Sequence, residues 1–174
     1  MNNAATITAL RVVLFSVLAA LLSFGVEAAP NTTSGTLTVG ATILVACNVA
    51  GGTLNFGSTI DPLQSSGPID ASTNLSVTCT NTTPYSVALS AGANAGGLNA
   101  FSARAMKSGT NSLPYQLYLD AAHSKVWGNG TNSSVHTGTG TGTQQSLTVY
   151  GRLPTVANAV PGDYSDTVTV TITY

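Results

Sequence analysis

Two stretches of the chain alternate between apolar and polar residues with period two. In the later stretch, 164–174, the odd positions are serine or threonine and the even positions are mostly apolar. The even positions are Tyr164, Asp166, Val168, Val170, Ile172 and Tyr174. This pattern predicts a half-buried β-strand. Because the sequence ends within that pattern, we expect no hairpin partner after it, and an unpaired strand edge invites an added strand.

The earlier alternating stretch covers residues 36–46. Its apolar positions are Leu37, Val39, Ala41, Ile43 and Val45. The residues between them are Thr36, Thr38, Gly40, Thr42 and Leu44. A chain with both stretches could offer a strand at one end and accept one at the other, which indicates a building block. The alternative is that residues 36–46 form the first strand of a complete domain.

The remaining chain after residue 28 shows no helical period longer than a turn or two. Further strands are predicted near 54–57, 74–80, 85–89, 113–119 and 147–151. Loops rich in Gly, Ser, Pro or Asn are predicted at 58–72, 90–100 and 131–145, the last with a low-complexity run from Thr137 to Thr143. Short strands separated by such turns are typical of an all-β sandwich.

Residues 1–28 have the character of a secretory signal peptide. Arg11 precedes an apolar stretch from Val12 to Val26, and Val26-Glu27-Ala28 resembles a cleavage site. A retained transmembrane helix is the alternative, although the stretch is short for one. Cleavage after Ala28 would leave one domain large enough to have its own core.

Charge and cysteine content limit the possible functions. The net charge is −1 and only 6% of residues are charged, which argues against a nucleic-acid-binding protein. The chain carries two cysteines, Cys47 and Cys79, and an exported protein meets an oxidising environment. A Cys47–Cys79 disulfide is therefore predicted. Two cysteines and two scattered histidines, His123 and His136, do not suggest a metal site.

Little in the sequence suggests catalysis. Asp120, His123 and Ser124 lie close together in a polar turn, whereas triad members normally come from distant segments. We therefore expect no enzyme activity, and nothing points to a cofactor. Trp127 is a candidate exposed aromatic residue and gives weak support to a sugar- or surface-binding module.

A succession of short motifs resembles the spore coat protein U domain. The motifs are Cys47 to Gly57, Leu75 to Cys79, Leu113 to Asp120, Trp127-Gly128, Val149 to Pro154 and Pro161 to Val168. Their order and spacing carry the resemblance, which covers nearly all of residues 35–174. The family includes subunits of archaic, Csu-type chaperone–usher pili and proteins of bacterial spore coats.

The resemblance implies an immunoglobulin-like β-sandwich that lacks its last strand and is completed by donor-strand exchange. A periplasmic chaperone would supply the strand first, and the N-terminal extension of the next subunit would replace it. By position, residues 29–46 would be the extension and 47–174 the domain. The donor residues would be Leu37, Val39, Ala41 and Ile43, and the acceptor groove would be lined by Val168, Val170 and Ile172. Ala41 is smaller than the residue expected there, so one part of the groove is expected to be shallow or filled from within.

The expected function is that of a structural pilin subunit in a surface fibre for adhesion and biofilm formation. Its expected partners are related pilin subunits, a periplasmic chaperone and an outer-membrane usher, with no nucleic acid and no stable membrane insertion. It would pass through the periplasm to the cell surface. The alternatives are a non-fibrous protective coat protein and a monomeric secreted binding module.

Overall fold

The computed structural model describes residues 27–65 and 67–174. The predicted signal peptide lies almost entirely outside these residues. The chain divides into two units, with the boundary between Ala41 and Thr42. Residues 27–46 are exposed and belong to no strand. The described residues after them form nine strands and one short 3₁₀ turn, Phe101–Ala103.

The strands form three antiparallel sheets. They are β1 Cys47–Ala50, β2 Ile69–Cys79, β3 Pro84–Leu89, β4 Ala105–Ser108, β5 Asn111–Pro114, β6 Gln116–Tyr118, β7 His136–Thr139, β8 Gln144–Leu153 and β9 Val170–Thr173. The largest sheet has the order β1-β2-β8-β6, the second β7-β3-β9, and β4 and β5 form a hairpin. This arrangement confirms the prediction of an all-β, immunoglobulin-like sandwich.

The core is built from the inward positions of strands in both larger sheets. Leu75 and Val77 of β2 alternate with more exposed polar residues, as do Leu147 and Val149 of β8. Val87 of β3 belongs to the same buried cluster. Because successive side chains of a strand point to opposite faces, one apolar face of each sheet meets the other.

Trp127 is part of this core, which corrects the expectation that it is an exposed aromatic residue. Its side chain is 0% exposed, and its indole N–H donates to the carbonyl of Val87 at 2.9 Å. A buried tryptophan with a satisfied N–H stabilises packing between segments. It is therefore not available as a sugar- or surface-binding group.

Several predicted elements differ in the structure. Residues 54–57 form no strand, and β2 begins at Ile69, within the loop expected at 58–72. The strand expected at 113–119 is divided into β5 and β6, which belong to different sheets, and between them the amide of Tyr115 donates to the carbonyl of Arg104. Part of the loop expected at 131–145 is β7, paired with β3. The Thr- and Gly-rich composition of this segment had indicated a loop. A Cβ at Gly138 would lie 2.6 Å from the ring of Tyr85, so glycine permits the close approach of the two strands.

Candidate functional site

Strand β9 has one paired edge and one open edge. Towards β3, the carbonyls of Thr169 and Thr167 accept hydrogen bonds from the amides of Ser90 (2.9 Å) and Ala93 (3.0 Å). Backbone groups alternate in direction along an antiparallel strand, so those of Val168, Val170 and Ile172 face the other way. Among the described residues no strand is hydrogen-bonded to β9 on that side, because β9 ends the sheet order β7-β3-β9. The open edge therefore presents unpaired donors and acceptors.

An apolar groove lies beside this open edge. Val168 and Val170 line it on the β9 side, and Gly51, Gly52 and Leu54, which follow β1, line it as well. Apolar side chains from both sheets, including Leu75, Leu89, Leu117 and Val149, also contribute to its lining. The groove encloses about 210 Å³, more than the roughly 150 Å³ that holds a benzene-sized apolar group. Its shape and lining suit apolar side chains from an added strand.

The groove contains a hydrogen-bonded polar pair. The hydroxyl of Tyr115 donates to Asp166 Oδ2 at 2.7 Å, and both residues line the groove. Asp166 Oδ1 accepts from the side-chain amide of Asn94 at 3.0 Å. Burial, together with the bond to Asp166, raises the pKa of Tyr115, so the phenol stays protonated and keeps its donor role. The carboxylate is held in a fixed position.

A buried arginine stabilises the segment that pairs with the start of β9. Arg104 is 1% exposed and donates to the carbonyl of Ser90 at 2.6 Å and to Gln116 Oε1 at 2.8 Å. The hydroxyl oxygen of Ser90 in turn accepts a hydrogen bond from the backbone amide of Thr169 at 2.9 Å. Desolvation lowers the pKa of Arg104 to about 10, which still leaves it charged at neutral pH. The network anchors the segment that leads into β9.

A second cavity of about 630 Å³ lies further along the same segment. Tyr164 lines it together with Met106, Leu113 and Val156, and both cavities share Leu54 as a lining residue. The chain from Tyr164 to Val170 therefore passes the second cavity at Tyr164 and then the groove at Asp166, Val168 and Val170. A strand added along this edge would meet both.

The disulfide lies at the start of the domain. Cys47 and Cys79 are bonded and directly opposite in the β1–β2 register, with their Cα atoms 4.1 Å apart. The prediction from export and cysteine count is confirmed. The bridge ties the first residue of β1 to the last residue of β2.

The predicted donor residues are exposed in this structure. Leu37, Val39 and Ile43 are 88%, 85% and 86% exposed, and Ala41 is also exposed. None belongs to a strand, which argues against the alternative that 36–46 is the first strand of a complete domain. Their role as donors stays a prediction.

The predicted acceptor residues do not all occupy the same place. Val168 and Val170 line the groove, whereas Ile172 packs against the core cluster without lining either cavity. Sequence reasoning did not single out Tyr115 or Asp166 as a pair. They are 51 residues apart, and only the fold brings them together.

The residues considered as a triad fragment form a turn instead. Ser124 donates its hydroxyl to Asp120 Oδ2 at 2.7 Å, and this bond lowers the pKa of Asp120. His123 does not complete the group, since its Nε2 lies 3.7 Å from Asp70. Within residues 27–65 and 67–174 no cluster of three potential metal ligands occurs, and no helix there is long and apolar enough to cross a membrane.

Comparisons with known proteins place this fold in a family. No curated protein matches the chain. Among solved structures it is similar to the CsuC–CsuE chaperone–tip adhesion subunit pre-assembly complex from archaic chaperone–usher Csu pili of Acinetobacter baumannii, with 27% identity and a TM-score of 0.54. The match covers 76% of this chain and 40% of that chain. The sequence profile of the Spore Coat Protein U domain matches residues 33–171, and the protein therefore belongs to the Spore Coat Protein U domain family.

Proposed function

We propose that this protein is a structural, non-enzymatic pilin subunit that polymerises by donor-strand complementation. The groove beside β9 accepts a strand, and segment 36–46 of another subunit supplies it. The resulting fibre stands on the cell surface and serves adhesion and biofilm formation. Residues 1–28 direct export and are removed, 29–46 form the extension, and 47–174 form the domain.

The observation that carries this proposal is the open edge of β9 beside an apolar groove in a chain that also exposes an alternating segment. An isolated subunit with such an edge is prone to pair with another strand. In an extended strand, Leu37, Val39 and Ile43 would share one face, which is what a groove open along one side accepts. One copy supplies what the next lacks.

The expected energies are sufficient for a stable contact. Full burial of each of Leu37, Val39 and Ile43 contributes about 1.5–3 kcal/mol, and Ala41 contributes less. Hydrogen bonds to the open edge add about 1 kcal/mol each at most and mainly set direction and register. None of residues 31–46 is proline, so every backbone N–H in the segment can donate.

A periplasmic chaperone and an outer-membrane usher complete the pathway. The similar Acinetobacter structure is a chaperone–subunit pre-assembly complex, which supports a chaperone partner for this chain. Before assembly, the chaperone covers the open edge and the apolar groove. This requirement follows from the cost of leaving them in water.

A protective coat is the second candidate. The description of the family names spore coats, and strand donation between copies could build a layer as well as a thin fibre. Electron microscopy of producing cells distinguishes the two. Thin filaments labelled by an antibody to the protein support the pilin, and a continuous shell favours the coat.

Two matched substitutions test the proposed function. Ile43→Asp places a carboxylate at an inward donor position, and Thr42→Asp places the same charge on the opposite face. Both positions are exposed in the isolated subunit, so neither change should alter its own melting temperature. Losing the burial of Ile43 alone weakens docking by about 10- to 100-fold, and the buried charge weakens it further.

Assembly is then measured by light scattering and negative-stain microscopy of purified mature protein. We expect Ile43→Asp to remain unassembled and Thr42→Asp to form oligomers close to those of the wild type. Equal assembly by both variants, or no assembly by the wild-type protein, would contradict strand donation by this segment.

A further inference from the structure

We propose that the donor segment docks in a single register, with Ala41 of one copy opposite Asp166 of the next. This inference rests on the proposed function and specifies which residues of the two copies meet. It assigns Ala41, Tyr115 and Asp166 to a position that decides specificity. The rest of the groove supplies apolar contact.

The added strand is taken as antiparallel to β9. Every strand pair in the described sheets is antiparallel, including that of β3 with β9. Antiparallel pairing is also slightly more stable per residue. In this direction, odd positions of the donor lie opposite even positions of the segment 164–172, and both sets point into the groove.

The groove has one place where a large apolar side chain would face a carboxylate. At Asp166 the carboxylate is bonded to Tyr115 and lies directly against Gly92, whose φ is +94° and where a Cβ would collide with the carboxylate. A branched apolar side chain there would press on this network and exclude water from the charge. The donor has one small inward residue, Ala41.

Placing Ala41 opposite Asp166 fixes the other partners. Val39 then lies opposite Val168 and Leu37 opposite Val170, both in the groove of about 210 Å³. Ile43 lies opposite Tyr164, at the second cavity of about 630 Å³. Each large apolar side chain therefore meets an apolar space.

The neighbouring registers of the same parity are worse. A shift by two residues in one direction places Ile43 against Asp166, and a shift in the other direction places Val39 there. Both desolvate a carboxylate without adding a hydrogen bond, which is unfavourable. Both also move Ala41 over an apolar part of the groove, where less surface is buried. The small size of Ala41 is thus explained by the acceptor.

Disulfide trapping between two copies tests the register. One copy carries a single donor cysteine and the other a single acceptor cysteine; the native cysteines are already bonded to each other. Directly opposite residues in such a pair have Cα atoms about 5.5 Å apart, within the range that a disulfide spans. The proposed register is tested by mixing Val39→Cys with Val168→Cys.

Each of the two shifted registers is tested by its own mixture of cysteine variants. Val39→Cys with Val170→Cys reports one, and Leu37→Cys with Val168→Cys reports the other. After mild oxidation, we expect the first mixture to give at least a tenfold higher yield of covalent dimer on a non-reducing gel. A dominant product from either shifted mixture would overturn the register and leave strand donation intact. Failure of all three mixtures would overturn the register, and failure of wild-type assembly as well would reject strand donation too.

An independent variant checks the reason for the register. Ala41→Leu adds apolar surface, so a uniformly apolar groove would bind it more tightly. The register instead requires at least tenfold weaker assembly, because leucine would contact the Tyr115–Asp166 pair. Unchanged or tighter assembly by Ala41→Leu would overturn the proposed role of this position.

Discussion

Strands β8 and β9 have similar sequence patterns but different surroundings. Both alternate between apolar and polar residues along their length. Strand β8 pairs with β2 on one side and β6 on the other, whereas β9 pairs with β3 alone. The inward residues of β8 are almost fully buried, including Val149 at 4%, while those of β9 are only half-buried. The pattern specifies a strand, and the neighbours decide whether its edge is closed.

The difference between the two strands separates internal stability from assembly. Side chains of β8 contribute their burial when the subunit folds. Val168 and Val170 are only half-buried and line an open groove, so the proposed added strand would bury them further. Substitutions on the two sides should therefore affect different measurements.

The largest expected effect on the subunit itself comes from the closed sheet. Cys79→Ala removes the bridge between β1 and β2, which closes a span of 32 residues. The loop-entropy relation gives a loss of about 3–4 kcal/mol in the free energy of unfolding. Denaturant unfolding measures it, and an unchanged midpoint with unchanged slope would refute this estimate.

A smaller effect tests the comparison directly. Val77→Ala in β2, the neighbour of β8 in the closed sheet, replaces a side chain that is 0% exposed and lines neither cavity. It should lower the free energy of unfolding of the isolated subunit by about 1.5–3 kcal/mol through lost burial and a residual cavity. Val168→Ala on the open edge should lower it by less than about 1 kcal/mol. Assembly should show the opposite order: Val168→Ala should weaken it more than the variant in the closed sheet does. Equal destabilisation of the isolated subunit by both variants would mean that β9 is not an open edge in solution.

The smallest effect concerns an ion pair on the outer face of the closed sheet. Arg152 of β8 donates two hydrogen bonds to Asp70 of β2, at 2.7 and 2.8 Å, and these bonds lower the pKa of Asp70. A lowered folded-state pKa contributes stability above the unfolded value of 3.8, and that stability is lost as pH falls through the folded value. Because the pair is exposed, solvent screens most of it.

Thermal unfolding of Asp70→Asn across pH tests this pair. The variant should melt slightly below the wild type at neutral pH, and the difference should shrink as the solution is acidified below the unfolded pKa. Arg152→Gln, which removes the partner of the same pair, should show the same convergence. A difference that grows on acidification would have the wrong sign for this mechanism.

Local patterns in the sequence were sufficient for some features. Alternation predicted the strands around Leu75, Val87 and Val149, and export with two cysteines predicted the disulfide, because period and redox state are properties of the chain alone. Composition misled where a contact decides the structure. Gly138 lies against Tyr85 and belongs to β7, which was predicted as loop, and Trp127 is buried although it was a candidate exposed aromatic residue.

By itself, the sequence determined that this is an all-β chain with a disulfide, an alternating segment at 36–46 and a final half-buried strand. Only the tertiary structure decided that β9 has an open edge, that a groove lies beside it, and that Tyr115 and Asp166 meet there. The physical reason is the separation along the sequence of the residues that interact. Alternation depends on neighbouring residues along one strand, whereas an open edge and a polar position in a groove depend on segments far apart in the chain that only folding brings together.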